Sequence, residues 1–354
     1  MTRAAPAIAL RLFQTAVDCQ VVSRLLIELA PQVQSRFHQG MRKAALLHNP
    51  ESGGSKQRRR ELDAALSILR NGKVEAELFP TESMKHAGEQ ARRAMAAGCD
   101  TIFACGGDGT IHNVAQVLAN TPVALGVLPM GTANALAHDL GIPLRVSEAA
   151  RAALTARERR VALGRVACQG LNGALTSCYF LVAAGIGVDA HLFYNLHSGA
   201  KQRLGMAAYY YKAWHLWFTY PMTRFQVKYT ESQSPEAKTV DATELLAVRI
   251  RYFGGVVREL APGASLDRND IRLILCRTES RMAYLAYVTR SLLGTTWAIP
   301  GIELASSMKA ECSYIANIEG ARRVYVEADG ELLGTLPAEL SIVPDALTLL
   351  APPF

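Results

Sequence analysis

The sequence predicts an α/β region with a doubly wound parallel sheet, followed by a β-rich, antiparallel sandwich-like domain. Three observations carry that expectation. Between residue 41 and about residue 160, short apolar runs alternate with amphipathic stretches at spacings that suit direct βα crossovers. Beyond that point the runs turn strand-like and are separated by turn residues. Glycine clusters fall at the carboxyl ends of the expected parallel strands, where open α/β sheets take their ligands.

In chain order, residues 1–40 contain "LRLFQTAVDCQVVSRLLIELAPQVQSRFH", apolar at helical spacing with arginines between. This is one or two amphipathic helices: packed on the body, part of an upstream extension before a start at Met41, or a membrane-surface contact. Then follow "AALLHN", "SKQRRRELDAALSILRNG", "VEAELFP", "HAGEQARRAMAAG" and "TIFACGG", a strand–helix alternation continued by "TIHNVAQVLAN", "PVALGVLPMG", "TANALAHDLG" and "VSEAARAALTA". Strands are expected at "RRVALGRVAC", "LTSCYFLVAAGIGV", "TRFQVKYTE", "ELLAVRIRYFGG" and "DIRLILCR", with a helix-like insertion at "GMAAYYYKAWHLWFTY". The end, from "RRVYVEADGELLG" onward, reads as two or three strands with a tight turn at "DGE". The expected division is an extension over 1–40, a nucleotide-binding region over 41–162 and a β-rich domain over 163–354, its last strands returning to the first region.

A chain of 354 residues, half of them hydrophobic and 19% charged, is long enough for two domains and excludes disordered and collagenous classes. A net charge of +7 favours anionic partners without choosing among nucleotides, nucleic acid and acidic lipid. No dense basic stripe or recognised motif supports nucleic acid. Seven cysteines, an odd number with no CxxC pair, point to reduced thiols in a cytoplasmic compartment. No apolar run reaches the length of a spanning helix, and "AAPAIAL" (4–10) is too short for a signal-peptide core.

In "CGGDGT" the residues Gly106, Gly107 and Gly109 let a phosphate approach backbone amides, and the following helix points its positive end the same way. Thr110 is expected to cap that helix through its hydroxyl. Asp108 is an anion where an anionic ligand would bind, tolerable with a Mg²⁺ between them or as a group that orients or deprotonates a hydroxyl. The junction "MGTAN" repeats the arrangement on the next strand, and "HNPESGGSK" supplies a third turn, with Asn49, Ser52, Gly53 and Gly54. The spacing is that of neither a Walker A loop nor a GxGxxG fingerprint. Late in the chain, Asp329 and Glu331 sit two apart; on one strand they would face the same way, suiting metal binding or proton transfer, and a hairpin turn is the alternative.

These pieces resemble the diacylglycerol kinase catalytic family, which includes bacterial lipid kinases, sphingosine kinases and ceramide kinases. The resemblance runs from about residue 42 to the end, through "NPESGG", "GGDGT" with Asn113, "PMGTANALAHDLGIP", "AGIGVDA", "FGGVVRELAPGASL", "VEADGELLG" and "SIVPDALTLLAPP". It implies ATP- and Mg²⁺-dependent phosphorylation of a lipid hydroxyl in the interdomain cleft, with lipid received mainly by the second domain. It further implies that Asn49, Gly53, Gly54, residues 106–110, Asn113, Gly131, Thr132 and Asn134 cradle ATP, and that Asp108 and Asp329 serve the metal. Asp329, with Glu331 supporting, is favoured as the base over Asp108. Members usually carry asparagine where Arg249 stands and Asp-Gly at the "NDI" turn (269–271), so Asn269 and Arg249 put a second, structural Mg²⁺ in doubt.

The aromatic stretch 206–221 reads as buried helix core or as the wall of an acyl-chain pocket at the membrane, with Lys201, Arg203 and Lys212 nearby for anionic headgroups. The expected partners are thus a lipid substrate at the inner membrane face and acidic lipid, with no nucleic acid and with homodimer formation left open. The rival readings are an NAD kinase-like phosphotransferase and a catalytically silent nucleotide-binding regulator.

Overall fold

Four parallel strands, β1 (Lys43–His48), β2 (Glu75–Pro80), β3 (Thr101–Gly106) and β4 (Ala124–Pro129), lie in the order β2-β1-β3-β4. The computed structural model describes residues 40–49, 55–81, 86–188, 190, 222–232, 234, 236–254, 259–295, 297–315 and 322–353. The expectations for residues 1–39, Gly53, Gly54 and the aromatic stretch 206–221 fall outside them.

All six β4 residues are buried, as are five of six in β1 and in β3, which is why these strands are continuous apolar runs rather than alternating ones. Helices α1 (Ser55–Asn71), α2 (Ala87–Ala96) and α3 (Asp108–Leu118) make the crossovers. The chain leaves β1 toward β2 and returns on its other side to β3, so strand order reverses there. The carboxyl ends of β1 and β3 therefore flank the crevice expected of such a switch point.

After the short helix α4 (Ala135–Asp139) and α5 (Val146–Leu154) come β5 (Arg157–Gly170), β6 (Leu175–Phe180), β7 (Ala183–Gly187), β8 (Phe225–Glu231), β9 (Ala237–Ala242), β10 (Glu244–Val248), β11 (Ile271–Cys276), α6 (Arg281–Leu293), β12 (Ile302–Ser313), β13 (Tyr325–Ala328) and β14 (Glu331–Ala351). The antiparallel path β13-β7-β10-β11-β12 returns to β14, which pairs with both β13 and β12, so six strands close a ring. Its core includes Ile186, Leu245, Leu273, Val326 and Leu340. Strand β14 is 21 residues long. Near its end Thr348 and Leu349 pair in parallel with Ala124 and Leu125 of β4, carrying the β-rich region back into the parallel sheet. Lys43–Phe354 consequently form one compact unit.

The stretch expected as one strand, "LTSCYFLVAAGIGV", is two. β6 pairs with β5 and β7 pairs with β13 and β10, and the chain breaks at Leu181–Val182 between them. Helix α6 and strand β12 had no counterpart in the sequence reading. No disulfide joins the six described cysteines.

Strand β10 ends because Arg249 turns inward, with 1% of its surface exposed. Its guanidinium donates to the carbonyls of Asp270, of Ala162 (3.0 Å) and of Leu266 (3.3 Å). Burial lowers its pKa to about 10, which leaves it charged at neutral pH. A protein cation thus gathers carbonyls at the turn where the family resemblance suggested a structural Mg²⁺, and the residues do not fit a second metal there. Arg249→Ala should cost about 3 kcal/mol or more in denaturant unfolding by orphaning these carbonyls. Arg249→Lys should recover only part, since an ammonium lacks the planar fork.

Candidate active site

The loops after β3 and β4 touch backbone to backbone. Met130 N–H donates to the Gly106 carbonyl at 3.0 Å, and a Cβ added to Gly131 would lie 2.4 Å from the Gly107 Cα. Only glycine at both positions permits that approach. Asn134 closes the second loop on itself: its Oδ1 accepts from the Gly131 N–H at 2.9 Å and its Nδ2 donates to the Gly131 carbonyl at 3.1 Å. It adopts φ +49°, a conformation asparagine tolerates. From the other side, Arg58 of the "KQRRR" cluster donates to the Met130 carbonyl at 3.0 Å. Gly131, Thr132 and Ala133 remain exposed, a backbone rim open to a ligand.

Helix α3 begins at Asp108 with Gly107 as its N-cap, so Thr110 is not the cap. The hydroxyl of Thr110 lies within the first turn and fills the space beside Gly106, where a Cβ would meet it at 2.3 Å. Asn113 donates from Nδ2 to the Gly109 carbonyl at 2.8 Å, bracing the loop. Asn49 follows β1 directly, placing it at the carboxyl end of the strand beside β3.

Asp108 Oδ1 is buried with no hydrogen-bond partner among the described residues. Burial, and secondarily the negative charge of Asp329, push its carboxyl above the ordinary range, against the backbone N–H groups of Leu136, Ala135 and Asp108 itself. An orphaned carboxylate oxygen beside a glycine cradle fits a site completed by a cation and a phosphate.

Asp329 is in a different position. It and Gly330 occupy the two-residue turn between β13 and β14, at φ +49° and +84°, as a type I′ hairpin demands of Asp-Gly. Asp329 and Glu331 therefore do not share a strand face, and strand alternation does not apply to them. The Asp329 side chain is 3% exposed and accepts four hydrogen bonds. Leu181 N–H (3.0 Å) and His112 Nδ1 (3.1 Å) reach Oδ2, while Val182 N–H (2.8 Å) and Ala183 N–H (3.1 Å) reach Oδ1. Its own N–H donates to the Ala183 carbonyl at 2.8 Å. Glu327 Oε2 closes the turn through the Gly330 N–H at 2.8 Å. Glu331, half-buried, opens β14.

His112 was not singled out in the sequence. The available signal was its spacing, one helical turn after Asp108 and on the same face of α3. Asp108, His112 and Asp329 thus come together, while Gly53 and Gly54 lie outside the described residues. Among the described residues no cluster of three metal-ligating side chains forms, so a cation here would draw on phosphate oxygens and water besides Asp108.

Apposed glycine loops at a sheet switch point, beside a buried carboxylate oxygen that has no hydrogen-bond partner among the described residues, define a nucleotide-dependent phosphotransferase. Residues 43–166 match the diacylglycerol kinase catalytic domain, and residues 182–351 match the YegS C-terminal NAD kinase beta sandwich-like domain. The chain belongs to the diacylglycerol kinase catalytic-domain family and is a lipid kinase. A diacylglycerol kinase of Staphylococcus aureus is 27% identical over 332 residues, covering 88% of this chain and 93% of the relative. One of Bacillus subtilis is 28% identical over 304 residues, covering 84% and 93%. The crystal structure of a diacylglycerol kinase from Bacillus anthracis superposes with TM-score 0.64 at 18% identity, covering 89% of this chain and 98% of that one, and shares the fold.

Two outcomes follow from the loop geometry. Gly131→Ala should weaken ATP binding by about tenfold or more in calorimetry, because its Cβ must displace the Gly107 backbone. The raised Asp108 pKa means that the native state binds this proton more tightly than the unfolded chain. Ionised Asp108 therefore costs stability, which returns as pH falls through the folded-state value. Asp108→Asn should accordingly raise the Tm of the ligand-free protein at neutral pH by roughly 2 °C while abolishing turnover.

Proposed function

We propose that the protein transfers the γ-phosphoryl group of ATP to a hydroxyl of diacylglycerol or a similar lipid, working at the cytoplasmic face of a membrane. The observation that carries this is the contact of the Gly107 and Gly131 loops beside the orphaned Asp108 oxygen. Phosphoryl transfer requires chiefly positioning and charge neutralisation, and this arrangement suits both. The names of the bacterial relatives favour diacylglycerol as acceptor.

In this reading the nucleotide phosphates lie along the exposed rim at Gly131 and Thr132 and the amino end of α3, near Asn49, Gly53, Gly54 and Asn113. Asp108 holds the Mg²⁺, which when bound neutralises charge on the phosphate oxygens. Asp329 is assigned a positioning role instead of those of metal ligand and base, since four donors already occupy its carboxylate. Glu331, next to the turn that Asp329 anchors, is proposed to accept the proton from the lipid hydroxyl. The nucleotide-binding region extends over about 41–162 and the lipid-receiving region over 163–354.

Incubation with γ-labelled ATP, Mg²⁺ and a lipid panel should label diacylglycerol first, and label in no lipid would refute the reading. Glu331→Gln should lower kcat by about 100-fold or more with Tm unchanged. Asp329→Asn should lose turnover together with about 1–3 kcal/mol of stability, because Asn cannot accept from both Leu181 and His112 as a carboxylate does. Full kcat in Glu331→Gln would remove it as the base.

A further inference from the structure

Helix α6 has two apolar faces of different fates. The inner one is fixed by Tyr287, whose hydroxyl donates to the Leu260 carbonyl at 2.7 Å, by buried Ser291, and by Arg290, which stacks on the Tyr287 ring and donates to the Trp297 carbonyl at 3.2 Å. With that face turned inward, the helix exposes Met282, Leu285, Val288, Leu292 and Leu293, with Met282 70% and Leu293 64% exposed. Trp297, tied beside the helix by Arg290, is 46% exposed. The polar residue among them, Thr289, spends its hydroxyl on the Leu285 carbonyl at 2.8 Å. An outward helix face whose one charged residue is Arg281 at its amino end, on a chain that is not itself membrane-spanning in any described helix, marks a docking surface.

We propose that this face of α6 is where the enzyme rests on an anionic bilayer, inserting Met282, Leu292, Leu293 and Trp297 into the headgroup boundary. The occupant follows from the lipid-kinase reading, on which the inference rests: the acceptor lies in a bilayer, and the enzyme must meet it by a surface. Charge agrees. From Ser280 to Gly301 the chain has no acidic residue, and Arg281, partly exposed one turn before Leu285, brings a positive charge to the outward face, Arg290 being buried on the inner one. The bordering acids are both neutralised, Glu279 by Arg224 and Glu303 by Arg277, each at 2.7 Å. Tryptophan at the rim suits a lipid–water interface.

The face is also coupled to the site. Tyr287 and Phe253 share one apolar cluster, and the same loop bonds to α4, where Asp139 Oδ1 accepts from the N–H groups of Arg251 (2.7 Å) and Tyr252 (2.9 Å). Helix α4 directly follows the Gly131–Asn134 loop.

The test is the full chain carrying Met282→Gln, Leu292→Gln and Leu293→Gln, compared with wild type by sedimentation on vesicles of zwitterionic lipid with and without phosphatidylglycerol. Partitioning onto the anionic vesicles should fall about tenfold. The Tm, the molar mass in solution and turnover of a short-chain diacylglycerol dissolved in buffer should stay unchanged, while turnover of long-chain diacylglycerol in vesicles drops. If wild type labels neither lipid yet the partitioning still falls, the docking surface stands and the lipid-kinase reading fails. Unchanged partitioning overturns the proposal, as does a halved molar mass in the variant, which would give the face to a second copy of the chain.

Discussion

The Asp329 carboxylate is the constraint around which the rest of the site is arranged. Three consecutive backbone amides, from Leu181 to Ala183, converge on it together with a histidine from α3. Buried at the tip of a hairpin, it ties three separate pieces of chain: the β13–β14 turn, the break between β6 and β7, and the helix that begins at the glycine loop. Such a carboxylate is stable because each oxygen finds donors; removing them would leave a buried charge uncompensated. One side chain thus links the β-rich region to the helix that begins at the glycine loop.

That arrangement divides the acidic residues of the site by environment. Asp329 is saturated, whereas Asp108 retains a buried oxygen without a donor, and the repulsion between them raises the Asp108 carboxyl further. One carboxylate stabilises the scaffold and the other is kept in an unfavourable state that a bound cation, as proposed, would relieve. Strand β14 extends the same tie over a greater length, running from the hairpin past β12 and β5 to β4, so the site's two walls belong to one continuous sheet.

Much of this was legible in the sequence where local chemistry decides the outcome. The parallel strands announce themselves as apolar runs, the glycine junctions as turns after them, and Asp329-Gly330 as a hairpin. The tertiary assignments were not. Which carboxylate is saturated depends on amides 146 to 148 residues away in sequence. The break in "LTSCYFLVAAGIGV" is hidden because it falls inside the apolar run from Phe180 to Ala184, where Leu181 and Val182 turn their N–H groups to Asp329. Helix α6 escaped for a related reason: with apolar residues facing both the core and solvent, it lacks the alternation by which amphipathic helices are recognised. Arg249, read as a departure from the family pattern, is a buried cation whose partners come from three distant carbonyls.

A double-mutant cycle across the His112–Asp329 contact tests the central claim most directly. His112→Ala, Asp329→Asn and the double variant would be unfolded in denaturant, and the coupling free energy taken from the four unfolding free energies. If this pair clasps helix α3 to the hairpin, the coupling is about 1–3 kcal/mol. Additivity to within about 0.5 kcal/mol would mean that the two side chains act independently, and the clasp would be contradicted.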